Sequence, residues 1–123
     1  MLLDFLVVGI GGFIGSCLRF ALTKMSVYFG FSFPLGTLLS NVIAGITIGF
    51  VIGLDIFSPK SKLFINTGLL GGLSTFSTFS FETINLFNES KYFLSAINIL
   101  LNLVLSLLGV VMGMGLAKVI KKA

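Results

Sequence analysis

The sequence predicts an all-α membrane protein of four transmembrane helices, the third of them broken. Three observations lead there. Of 123 residues, 56% are hydrophobic and only 10% charged, with a mean hydropathy of +1.14, whereas a soluble domain carries about 25% charged residues. Four apolar stretches, near residues 3–22, 34–54, 63–87 and 92–119, each reach the roughly 20 residues needed to cross about 30 Å of hydrocarbon. Within the third stretch, Gly71-Gly72-Leu73-Ser74-Thr75-Phe76-Ser77-Thr78-Phe79-Ser80 gathers two glycines, five hydroxyls and two phenylalanines. Gly and Thr are poor helix formers and clustered hydroxyls need partners. Irregular backbone at bilayer depth is tolerated where it is buried in protein or lines a cavity, so this run reads as a broken helix carrying an ion or solute site.

The first stretch is expected to remain as a span and not to act as a cleaved signal. No Lys or Arg precedes it, and Asp4 stands where a basic region would be needed. Cys17 is the only cysteine, which excludes an internal disulfide and suits a small packing residue. Pro34 can open the second helix, where its missing N–H is harmless, and Ser58-Pro59 suits the loop that closes it. Residues 88–91 make a tight turn into the fourth stretch. No connection is long enough for a soluble domain, so residues 1–123 form one four-span transmembrane domain. With an even number of spans, Lys60, Lys62, Lys118, Lys121 and Lys122 fall on the side of the termini, against Lys24, Lys91 and Arg19 on or near the other. That narrow excess leans toward cytoplasmic termini and is compatible with insertion in both orientations.

Composition also removes several classes of function. There is no His, the commonest metal ligand and proton shuttle. The eight basic residues border apolar spans instead of clustering, which argues against nucleic-acid binding. The pairs Gly11/Gly15 and Gly109/Gly113 and the triplet Gly45/Gly49/Gly53 follow the small-xxx-small rule for close helix approach; they read as packing residues and only weakly as a dimer face. Thr37, Asn41 and Gly45 begin one stripe on the second helix, while Ser95, Asn98, Asn102 and Ser106 share a face of the fourth. Polar groups in lipid must find partners. Inter-helix hydrogen bonding and a polar track for a solute both account for these stripes. Arg19, near the end of the first span, can attract an anion to a vestibule or mark the boundary, and Glu82 can join a proton relay or mark where the third span emerges.

Phe76 and Phe79 are three residues apart and share a face if the turn is helical. An aromatic ring has a negative face and a positive edge, so edge-on rings tolerate a small anion. Ser77, Thr78 and Asn41 add O–H and N–H donors, and donors without full basic charge suit an anion that must bind and then leave. Carbonyls freed around Gly71 to Ser74 suit a small cation instead.

These residues resemble a known family. The run from Gly71 to Phe79 with Glu82 resembles the third-span signature of the CrcB/Fluc fluoride channels. Gly11-Gly12-Phe13-Ile14-Gly15-Ser16-Cys17-Leu18-Arg19-Phe20 resembles their first-span element, and Phe33-Pro34-Leu35-Gly36-Thr37-Leu38-Leu39-Ser40-Asn41 their second. The resemblance covers essentially the whole chain. It implies a passive, fluoride-selective channel, not an enzyme, in a prokaryotic plasma membrane, which lets fluoride out and confers fluoride resistance. It further implies an antiparallel, dual-topology dimer with two pores at the subunit interface, formed with a second copy or with a paralogous subunit. By the same resemblance Phe76, Phe79, Asn41, Ser77 and Thr78 line the fluoride pore and Arg19 supports a vestibule. Backbone carbonyls of Gly71 and Ser74 from both subunits would hold a structural Na⁺ at the interface. Ser74 replaces the family's usual Thr, and Ser16, Phe20, Ala44 and Ile46 stand for Ala, Tyr, Gly and Phe; these changes leave the implied mechanism intact. The fourth span matches only loosely.

Two other readings compete. A small multidrug-type dual-topology antiporter exchanges protons for cationic drugs through an acid deep in its first span, and here the only acid in that region is Asp4 at its start. A non-conducting partner subunit suits the glycine faces but leaves the hydroxyls from Ser74 to Thr78 unexplained.

Overall fold

A computed structural model describes residues 1–123, and all of its regular structure is helical. α1 spans Leu2–Tyr28, α2 Leu35–Leu54, α3 Pro59–Lys62, a π-helical stretch Leu63–Leu69, α4 Leu70–Leu73, α5 Phe76–Asn88 and α6 Tyr92–Lys122. α1, α2 and α6 are each long and apolar enough to cross a membrane. The stretch expected as the third span is instead shared among the π-helical stretch, α4 and α5, with Ser74 and Thr75 extended between the last two.

The ends follow from local chemistry. Pro34 sits at the N-cap of α2, and Asp55 closes that helix in the left-handed region at φ 53°. Ser58 caps α3 by accepting from Ser61 N–H at 3.2 Å, with Pro59 in the first turn. α1 runs beyond the expected residue 22 to Tyr28, and α6 beyond 119 to Lys122. Polar and basic side chains at these ends do not stop a helix; they let it leave the hydrocarbon and continue. The loop after α2 is braced by an ion pair between Lys62 and Asp55, and the Lys62 ammonium holds the Asp55 carboxyl below its usual range.

Backbone meets backbone where glycines face neighbouring helices. A Cβ on Gly15 of α1 would lie 2.9 Å from Leu73 N, and one on Gly68 would lie 2.8 Å from the Val8 carbonyl oxygen. Thus α1 seats the π-helical stretch and α4. α2 and α6 form the other close pair: a Cβ on Gly49 would lie 3.0 Å from the Val110 carbonyl carbon, and one on Gly113 2.7 Å from Phe50 N. The glycine spacings noted in the sequence are thus used for packing within one chain. Overpacking such contacts costs about 1–3 kcal/mol or more. Gly49→Val and Gly113→Val should each lower the unfolding midpoint in detergent, whereas Gly115→Val should leave it nearly unchanged, since nothing lies within 4 Å of a Cβ there.

Burial is inverted relative to a water-soluble protein. Phe13, Phe20, Phe81 and Phe93 are exposed, while the fully buried side chains include Thr37, Ser40 and Asn98. Lipid satisfies the apolar exterior, and polar side chains turn inward to find partners.

Candidate functional site

The site is built where α4 ends. Leu70–Leu73 finishes its last turn with Ser74 N–H donating to the Leu70 carbonyl at 2.9 Å, and Ser74 Oγ donating to the same carbonyl at 2.7 Å. Ser74 and Thr75 are then extended, at φ/ψ of −78/150° and −152/122°. Thr75 restarts the chain as the N-cap of α5, its Oγ1 accepting from Thr78 N–H at 3.2 Å. That choice has a consequence. Thr78 N–H would close on the Ser74 carbonyl if the helix were continuous, so its turn to Thr75 Oγ1 leaves the Ser74 carbonyl free. Likewise Thr75 N–H, the helical donor for the Gly71 carbonyl, goes to Asn41 Oδ1 at 2.8 Å.

Asn41 of α2 thus holds the irregular backbone. Its Nδ2 donates to Asn102 Oδ1 of α6 at 2.9 Å and reaches the Thr75 carbonyl at 3.4 Å. A groove of about 460 Å³ opens beside it, lined among others by Asn41, Gly71, Ser74, Thr75, Phe76 and Phe79. The two rings lie 5.4 Å apart between centroids and are tilted by 54°. Phe79 is buried at 7% exposure, while Phe76 is 75% exposed in the single chain.

The other residues singled out in the sequence stand nearby in different roles. Ser77 Oγ lies 3.3 Å from Thr75 Oγ1, and Thr75 Oγ1 donates to Thr78 Oγ1 at 3.1 Å. These hydroxyls crown the first turn of α5; Thr75 lines the groove, whereas Ser77 and Thr78 lie outside its lining. Arg19 of α1 donates from Nε to the Gly72 carbonyl at 3.0 Å, so it braces the end of α4 against α1. Glu82 Oε1 accepts from Thr37 Oγ1 at 2.8 Å, and Oε2 is buried without a partner. Glu82 and Thr37 line a second, smaller cavity of about 230 Å³.

Three members of the polar stripe on α6, Ser95, Asn98 and Asn102, are resolved into hydrogen bonds, while Ser106 Oγ is buried without a partner. Asn102 Nδ2 donates to Asn98 Oδ1 at 3.0 Å, and Asn98 Nδ2 to Thr83 Oγ1 at 2.9 Å. Thr83 did not stand out in the sequence. Its signal was its place four residues after Phe79, where a hydroxyl can return to the carbonyl one turn back; it does so at 2.7 Å.

With this geometry in hand, comparison with known proteins is decisive. Residues 6–114 match the family model described as CrcB-like protein, Camphor Resistance (CrcB). This chain belongs to the CrcB-like family. Among similar proteins, the "Fluoride-specific ion channel FluC" of Clostridium novyi (strain NT) is 45% identical over 120 residues, covering 94% of each chain. Those of Elusimicrobium minutum (strain Pei191) and Methanocaldococcus jannaschii carry the same description. The first is 41% identical over 122 residues, 98% of each chain, and the second 41% identical over 120 residues, 95% of this chain and 96% of its own. As a CrcB-like protein with three long apolar helices, the chain is a multi-pass membrane protein.

Proposed function

We propose that this CrcB-like protein is a fluoride-selective passive channel of a prokaryotic plasma membrane that lets fluoride out of the cell. The observation that carries the reading is the extended Ser74–Thr75 pair, pinned by Asn41 beside Phe76 and Phe79 on an open groove. Residues 63–88 act as one discontinuous third span, and a second copy in antiparallel orientation covers the groove. The exposed Phe76 ring and the near balance of positive charge between the two ends support that arrangement.

In this reading fluoride sheds water against ring edges and hydroxyl donors in turn. Phe76 and Phe79 offer positively polarised rims at two adjacent positions, and Ser77 and Thr78 supply O–H groups at the entrance to α5. No full basic charge sits among them, so the ion is held weakly enough to leave. The membrane potential contributes about 2.3 kcal/mol per 100 mV toward exit from a negative interior. A structural Na⁺ fits the Gly71 and Ser74 carbonyls: both lose their helical N–H donors to Asn41 and Thr75, and hard oxygen ligands suit a small hard cation. Such an ion would supply fixed positive charge at the meeting of two copies.

The test is efflux from liposomes reconstituted with the full chain. Fluoride should leave without any proton gradient while chloride is retained. Efflux that requires a proton gradient would favour the antiporter reading, and no efflux at all a non-conducting subunit.

A further inference from the structure

Five hydrogen bonds form a continuous one-way path from Thr75 to Phe79 through two other helices. Thr75 N–H donates to Asn41 Oδ1 at 2.8 Å, Asn41 Nδ2 to Asn102 Oδ1 at 2.9 Å, and Asn102 Nδ2 to Asn98 Oδ1 at 3.0 Å. Asn98 Nδ2 then donates to Thr83 Oγ1 at 2.9 Å, and the Thr83 hydroxyl to the Phe79 carbonyl at 2.7 Å. Both ends fix the polarity. A backbone N–H can only donate, so Asn41 must turn its oxygen toward Thr75 and its nitrogen toward α6. A carbonyl can only accept, so the Thr83 hydroxyl must donate to Phe79 and accept from Asn98. No amide in the series can flip without placing two donors or two acceptors face to face. The members on α6 and Thr83 are buried, with Asn98 at 0% exposure.

We infer that Asn98 and Thr83 are positioning residues that set the rotation of the first turn of α5, and with it the placement of Phe76 and Phe79. The two anchor points, Thr75 and Phe79, bracket that turn from either side. The extended pair at Ser74–Thr75 cannot itself transmit orientation from α4, because the helical ladder is interrupted there. The path through α2 and α6 replaces it. Buried networks of this kind polarise one another, so a break at one member weakens the rest. Ser95 is a useful contrast: its Oγ donates to the Thr83 carbonyl at 2.9 Å, which ties α6 to α5 outside the path.

The inference rests on the channel reading, and its test has an arm that does not. Thr83→Val keeps the shape and volume of the side chain but removes both bonds, whereas Thr83→Ser keeps both bonds and loses a methyl. If the path positions the rings, fluoride efflux falls about five- to tenfold in Thr83→Val, the change in rate that one net hydrogen bond supports, and stays within about twofold of wild type in Thr83→Ser and Ser95→Ala. A packing role predicts the opposite order, with Ser worse than Val. Size-exclusion in detergent verifies that each variant is folded. In parallel, hydrogen exchange of the 74–80 segment should quicken in Thr83→Val and not in Thr83→Ser. Equal efflux, or equal exchange, in the two variants overturns the inference. Absence of fluoride efflux in the wild type would instead remove the channel reading, and exchange alone would then decide whether the path holds α5.

Discussion

Phe76→Ile is expected to lower fluoride efflux roughly a hundredfold, equivalent to about 3 kcal/mol of barrier, with the unfolding midpoint left where it is in the wild type. The asymmetry of the two rings makes this informative. Phe76 is 75% exposed in the single chain and supports little of its packing, while Phe79 is 7% exposed and sits in the interior. Isoleucine is apolar like phenylalanine but has no polarised rim, so it removes the electrostatic contact and keeps an oily surface. Phe79→Ile should abolish flux to a similar degree and also destabilise the fold by about 1–3 kcal/mol, since isoleucine is three carbons smaller and leaves part of a buried site unfilled. Efflux from liposomes and thermal unfolding in detergent measure the two effects separately. Wild-type flux in both variants would take the rings out of the mechanism.

The second large effect is expected at Asn41. Asn41→Asp retains an oxygen to accept Thr75 N–H, so the extended backbone keeps its anchor. The other carboxylate oxygen, however, would face Asn102 Oδ1, which has no proton to give. More important is the charge it places on the groove. A unit charge about 4 Å from a passing anion, at an effective dielectric of about 20, raises its energy by about 4 kcal/mol, which is near a thousandfold in rate. Asn41→Leu is the neutral comparison: it loses the anchor without adding charge and should conduct poorly but measurably. If the Asp variant conducts as well as the Leu variant, no anion travels beside this position.

Much of this was legible before the structure. Pro34 marked the start of the second helix; Ser58-Pro59 marked the loop that closes it, and the structure also uses the pair to start α3. The glycine and hydroxyl run placed irregular backbone within residues 71–80, which the structure narrows to Ser74–Thr75. The π-helical stretch at Leu63–Leu69 was not legible. Its wider turn accompanies the close approach of Gly68 to Val8 and Gly11 on α1, a tertiary contact that no local pattern encodes. Arg19 could be read as a boundary or vestibule cation, but its bond to the Gly72 carbonyl spans 53 residues of sequence. The same holds for Asn98 and Asn102. Their spacing put them on one face, yet whether that face met protein or solute depended on the turn at residues 89–91 bringing Thr83 opposite.

Residues 63–73 are seated on α1, whereas 76–88 lean chiefly on α6. The two helical segments therefore answer to different neighbours, and the pair of extended residues between them is the joint. A thinner or more curved bilayer that tilts α1 relative to α6 would shear that joint first. Lipid thickness then becomes a mechanical input to where α5 holds its two aromatic rings relative to α4, with no ligand required.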